Sequence, residues 1–221
     1  MPNFIETFKT NRNFSFSGMR NTAIALLPED RTKRNKLYQD LERGKGILDD
    51  EDHLNMYLHS FGKMHKAKLD VSFKSLSNIS DIFSEEVEIY DWGCGQGTAS
   101  VCLLDFLKSK RITPNIKQFC MVEPSSEAVN RATQVIECFN SNYTINSITK
   151  DFDHLTAKDF KTSDVRKVHL FSNILDVEAF DLAQFIHLFQ QLFGGDNYFI
   201  CVGPFYSNNR RVDEFVAATA P

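Results

Sequence analysis

The sequence predicts an α/β fold: a parallel sheet of about five strands with helices on both faces, preceded by an N-terminal helical cap. Three observations predict it. From Val87 onward, short β-rich apolar runs alternate with amphipathic helical patterns, as a parallel sheet covered on both faces requires. The stretch Glu88–Val101, E-I-Y-D-W-G-C-G-Q-G-T-A-S-V, reads as a strand, a glycine turn and a helix start. Residues before 80 show helical spacing without a strand pattern.

Taken in order, residues 1–30 hold Phe4, Phe8, Phe14 and Phe16 among Asn, Ser and Thr, then an apolar run, Ala23 to Leu27, stopped by Pro28. A partly ordered arm packed on the main domain is expected. A helix begins at Arg31, with Leu37 and Leu41 on one face and Gly44 as its C-cap. Its basic run, R-T-K-R-N-K, is a solvated first turn or a weak nucleic-acid patch, and the first explains it more simply. The acidic stretch Asp49 to Asp52 suits a helix N-terminus. Leu54, Tyr57, Leu58, Phe61, Leu69, Phe73 and Leu76 then form one long helix, or two divided near Gly62. His53, His59 and His65 recur every six residues, so they do not share a helix face and do not suggest a metal site.

The sheet region follows. The strands are Val87–Asp91, Gln118–Glu123, Tyr143–Ile148, Lys167–Ser172 and Tyr198–Val202. Helices are expected over Thr98–Ser109, from an N-cap at Ser125 or Ser126 through Phe139, over Phe180–Phe193 to the stop at Gly194-Gly195, and from Arg210 to Ala218. This divides the chain into a 1–80 arm and cap and an 81–221 sheet domain.

Composition narrows the classes. Hydrophobic residues make up 42% of the 221, so a sizeable core is affordable; 20 phenylalanines stand against one tryptophan. A net charge of −4 argues against a strongly basic nucleic-acid binder, although residues 1–80 carry +3 and the rest −7. There is no signal-peptide pattern and no apolar run of membrane-spanning length. Five scattered cysteines support neither a disulfide framework nor a zinc site, and a reducing cytoplasm is the default.

The glycine turn carries the chemistry. Gly93, Gly95 and Gly97 alternate after Asp91, and Thr98 stands where a dinucleotide fingerprint has its third glycine. That spacing disfavours a nicotinamide-dependent oxidoreductase. The loop and the helix start that follows suit a carboxylate or phosphate. The pattern D-x-G-x-G-x-G resembles motif I of the class I S-adenosylmethionine (SAM) dependent methyltransferases, and the resemblance covers residues 85–206. It implies a Rossmann-like sheet of order 3-2-1-4-5 and SAM as cofactor. Glu123, closing the second strand, can accept two hydrogen bonds from a ribose diol; its plainer role is an acid at a helix N-terminus.

The resemblance assigns the remaining candidates. Asp91 fixes the loop, whose residues Gly93, Cys94, Gly95 and Gly97 hold the methionine end. Asp151 and Phe152 serve the adenine, with Asp153 as the competing acid and a plain turn as the alternative. F-S-N-I-L-D, Phe171 to Asp176, resembles motif IV, placing Ser172 by the cofactor and Asn173 by the acceptor. Both prolines and the aromatic of the (D/N/S)-P-P-(Y/F/W) tetrad are missing, which puts nucleobase N-methylation by that arrangement in doubt. Tyr206, in V-G-P-F-Y, is a substrate wall, a proton acceptor or a packed ring. Asp176 is a weak candidate base, and His169, within a strand, is expected to be structural.

The class also has a sixth and seventh strand, for which the chain leaves no room. The fifth strand is therefore an expected apolar edge that needs a partner, a second copy or a further segment to cover it. The leading function is methyl transfer to an unidentified acceptor. The alternative is a non-catalytic SAM-binding or fold-only module in an assembly.

Overall fold

Strands β1 (Glu86–Trp92), β2 (Asn115–Val122), β3 (Thr144–Ile148), β4 (Arg166–Ser172) and β5 (Asn197–Val202) build one sheet of order β3-β2-β1-β4-β5. Every pairing is parallel. They are seen in a computed structural model that describes residues 3–42, 46–161, 163–204 and 210–219. The chain winds outward from β1 to β3, then returns to β4 beside β1. The topological switch point therefore lies between β1 and β4, where open α/β sheets bind ligands outside the strands' carboxyl ends. Strand starts lie within three residues of those expected from the sequence.

β1 is buried from Val87 to Trp92, which is why it reads as a near-continuous apolar run. Glu88 and Asp91 are the exceptions; Glu88 has partners for its buried carboxylate, accepting hydrogen bonds from the Tyr90 hydroxyl at 3.1 Å and Ser163 Oγ at 2.8 Å. β5 lies at the sheet edge, and of its residues only Ile200 is buried.

One face of the sheet carries α7 (Thr98–Ser109) and α8 (Ser126–Phe139), whose apolar residues share a cluster with Ile89, Phe119 and Val168. The Ser125 hydroxyl caps α8 by accepting from Ala128 N at 3.0 Å. On the other face, α9 (Leu182–Leu192) and α10 (Arg210–Thr219) bury Phe185, Phe189 and Phe215 against Trp92 and Phe171. The phenylalanine count is explained here: Trp92 stacks on Phe171 at 5.9 Å and meets Phe185 edge-on at 5.2 Å. α9 starts two residues later than the apolar stripe because Asp181 caps it, accepting from Gln184 N at 3.0 Å.

His169 is structural. It is fully buried in β4, accepts from Trp92 Nε1 at 3.2 Å and lies 3.0 Å from Asn197 Oδ1. Burial pushes its pKa down to about 3. The unfolded chain takes up this proton below about pH 6.5, whereas the native state resists it. His169 therefore costs stability as pH falls from 6.5 towards 3, by up to about 1.4 kcal/mol per unit. In urea unfolding at pH 7, 5.5 and 4.5, the gap between wild type and His169→Gln should narrow as pH falls. A gap independent of pH contradicts this.

The N-terminal region is more ordered than the sequence suggested. Helices α1 (Phe4–Asn11) and α2 (Phe16–Ala25) replace the expected arm. The polar residues between the phenylalanines are caps: Asn3 forms a capping box with Glu6, and Ser15 accepts from Gly18 N. Phe4, Phe8, Phe16 and Met19 join the same core cluster as Ile89. α3 (Arg31–Asp40) follows; Gly44, the expected C-cap, lies outside the described residues. The long cap pattern is two helices, α4 (Glu51–Ser60) and α5 (Gly62–Ser75), joined at Phe61. Gly62 lies close to Phe16, where an added Cβ would come within 3.2 Å of Phe16 Cζ. A four-residue helix, α6 (Ile79–Ile82), leads into β1. Among the described residues no helix is long and apolar enough to cross a membrane.

Candidate cofactor site at the switch point

Asp91 sits near the end of β1 and is fully enclosed. Its Oδ2 accepts from Ser100 N at 3.2 Å and Ser100 Oγ at 2.6 Å, tying the strand end to the first turn of α7. Oδ1 is buried and has no hydrogen-bond partner among the described residues. Burial raises the Asp91 pKa to about 6 against the pull of the Ser100 bonds.

The loop that follows is held by its own backbone. Cys94 N donates to Val122 O at 3.0 Å, and Gly97 N donates to Cys94 O at 2.8 Å. Gly97 has φ +82, and a Cβ there would lie 3.2 Å from Ala132 Cβ, so α7 and α8 approach closely only with glycine. Gly95 has φ +51, and its added Cβ would meet nothing within 4 Å, so the loop tip borders open space. Cys94 is buried and its thiol is pushed far above the ordinary range by burial, which suits packing rather than a thiolate.

Glu123 follows β2 and faces the loop. Its Oε2 accepts from Gly95 N at 2.9 Å and its Oε1 from Ser125 N at 3.1 Å. The carboxylate thus joins the loop tip to the start of α8, and each oxygen retains a lone pair. Burial raises its pKa, and the two backbone bonds oppose the rise.

The remaining candidates are placed as follows. Asp151 begins a 3₁₀ turn, Phe152–His154, at the end of β3. Its Oδ1 accepts from His154 N at 3.1 Å and lies 2.6 Å from His154 Nδ1, which holds the carboxyl below its usual range. Phe152 is buried on Phe180 and Phe185 with ring centres 4.6 and 4.9 Å away. Asp153 serves the scaffold, accepting from Asp181 N at 2.8 Å. At the end of β4, Asn173 has φ 58 and donates its backbone N–H to Val202 O at 2.6 Å. Its Nδ2 donates to Ser172 Oγ at 3.2 Å. Ile174 packs on the loop, where a Cβ on Gly93 would be 2.8 Å from its Cγ1. Tyr206 lies outside the described residues.

The structure therefore brings Asp91, the glycine loop and Glu123 into one site, with the Ser172–Asp176 turn against it. Asp151 and Phe152 stand two strands from β1, joined to the loop by no hydrogen bond among the described residues.

Several participants escaped sequence reasoning. The cap clasps the site: Gln96 Nε2 donates to Leu54 O at 2.9 Å and Ser125 Oγ donates to Leu48 O at 2.5 Å. Buried Arg131 donates to Asn55 Oδ1 at 2.8 Å and Gln96 Oε1 at 3.1 Å, with its guanidinium 4.1 Å from the Phe4 ring centre. An arginine inside the apolar stripe of α8 was the available signal. From α5, Lys68 Nζ donates to Asn173 Oδ1 at 2.9 Å. His65, one turn earlier, is buried with a pKa pushed down to about 4 by burial, and the Tyr57 hydroxyl lies 3.5 Å from its Nδ1.

No family model and no curated protein matches the chain. Among solved structures it is similar to the small RNA methyltransferase HEN1, at 12% identity and TM-score 0.38, over 58% of this chain and 15% of that one. It is also similar to a SAM-dependent methyltransferase of Leishmania major, at 16% identity and TM-score 0.42, over 84% of this chain and 67% of that one. A third is an S-adenosyl-L-methionine-dependent methyltransferase candidate of Methanococcus maripaludis, at 16% identity and TM-score 0.47, over 79% and 74%. The strand order, with a glycine loop after β1, is that of a Rossmann-like α/β fold.

Proposed function

We propose that the chain is a SAM-dependent methyltransferase acting on an unidentified acceptor. One observation carries the reading: Glu123 spans Gly95 N–H and Ser125 N–H at the carboxyl ends of β1 and β2, beside a loop tip that borders open space. The donor set fits SAM. Glu123 keeps lone pairs for a ribose diol, and the orphaned Asp91 Oδ1 suits an ammonium group. Asp151 and Phe152 take the adenine side, Ser172 lies by the cofactor and Asn173 on the acceptor side. When bound, SAM supplies an activated methyl on sulfur. The chain's own task is to hold the acceptor in line, exclude water and remove a proton. Residues 1–80 form the cap over this site, and the β5 edge is the face for a partner or second copy. A cytoplasmic location is part of the reading.

Isothermal calorimetry tests it. S-adenosylhomocysteine (SAH) and SAM should each bind one-to-one, and NAD should give no heat. Binding of NAD without SAH would support the nicotinamide alternative and overturn the proposal.

A further inference from the structure

The Asn173 amide oxygen, which the motif IV resemblance assigns to the acceptor, is already engaged by Lys68 Nζ at 2.9 Å. Its amide nitrogen is engaged by Ser172. Three residues on, Asp176 Oδ1 is buried with no hydrogen-bond partner among the described residues. It faces the end of β5, since a Cβ on Gly203 would lie 3.7 Å from it. A buried carboxylate oxygen without a donor is costly, and a ligand that brings one removes the cost. Topology says which ligand end that is. The ribose and adenine candidates lie at the ends of β2 and β3, so the cofactor's reacting end points the other way, towards β4 and β5.

We infer that Asp176 accepts the proton of the methyl acceptor, and that the acceptor is a hydroxyl or amine, with Lys68, tied to the turn through Asn173, as the neighbouring charge that opposes a second cation there. This rests on the SAM reading above. The acceptor's N–H or O–H donates to Asp176 Oδ1, which points its lone pair at the methyl carbon. The new C–N or C–O bond forms as the C–S bond breaks. The C–S electron pair stays on sulfur, giving neutral SAH, and the acceptor's proton passes to the carboxylate, giving a carboxylic acid. Lys68 is well placed to oppose a second cation: it and Asp176 interact, and burial lowers its own pKa.

The test needs no known acceptor. Sinefungin is a SAM analogue in which a carbon bearing a primary amine replaces the methylated sulfur, so its ammonium occupies the methyl position; SAH has nothing there. Calorimetry with both probes on wild type and Asp176→Asn should show sinefungin affinity falling roughly tenfold or more, with SAH changed less than twofold. Lys68→Met should shift the ratio the other way, by about two- to fivefold in favour of sinefungin, because a competing cation is gone. The Lys68 arm stands alone if Asp176→Asn does not fold. Wild type that binds no SAH overturns the SAM reading itself. SAH binding with a sinefungin-to-SAH ratio unchanged in the variants overturns only the role of Asp176 and Lys68.

Discussion

Glu123→Ala should lower SAH affinity by about a hundredfold or more and cost the apo protein roughly 2 kcal/mol of stability. The affinity loss combines two effects. The carboxylate that would receive the ribose hydroxyls disappears, and Gly95 N–H and Ser125 N–H lose their shared acceptor, at 2.9 and 3.1 Å. The stability cost is smaller than two charge-assisted hydrogen bonds suggest, because the carboxylate is itself buried and burial raises its pKa. Glu123→Gln separates the effects. Its amide oxygen can still satisfy one backbone donor, but its NH₂ group faces the other, so affinity should fall between wild type and alanine. Urea melts and SAH calorimetry on the three proteins check this. Equal SAH affinity in all three removes Glu123 from the site.

Gly97→Val should be the most disruptive change in the loop, costing about 2–5 kcal/mol. Backbone and packing both oppose it. The position has φ +82, which a β-branched residue tolerates poorly, and its Cβ would lie 3.2 Å from Ala132 Cβ and 3.3 Å from Ala132 Cα. Since α8 cannot retreat without moving Arg131 from Gln96 and Asn55, the cost spreads into the cap. Gly95→Ala is the control. It shares the left-handed backbone but meets no atom within 4 Å, so it should cost only about 1 kcal/mol while narrowing the space at the loop tip. Thermal melts should separate the two variants clearly, whereas SAH binding should suffer in both. A Gly97→Val melting temperature equal to that of Gly95→Ala contradicts the close α7–α8 approach.

The parts legible in the sequence were those written in local periodicity. The strands alternate with helices at short range, and the loop's glycines sit within five residues of one another, so the parallel sheet and the turn were readable, while the strand order came from the family resemblance. Glu123 was readable because a strand end fixes its position relative to β1. Phe4 to Met19 was not, because Asn3 and Ser15 act there as helix caps but look like loop residues in sequence. The Ser172–Asp176 turn was least legible. Asn173 was recognisable as a residue, but its engagement by Lys68 joins groups 105 positions apart and exists only once α5 has packed across the sheet. Arg131 is likewise enclosed only by the cap, through Asn55 and Phe4. Local pattern could locate the glycine loop, whereas the cap's contribution depends on tertiary contacts that no spacing encodes.

Incubating the protein with methyl-labelled SAM and cell lysate, then separating RNA, protein and small molecules, tests the proposed methyl transfer most directly. Label should accumulate in one of these classes with wild type and be lost with Glu123→Ala. SAH binding without label in any class, or equal labelling by wild type and Glu123→Ala, would contradict it.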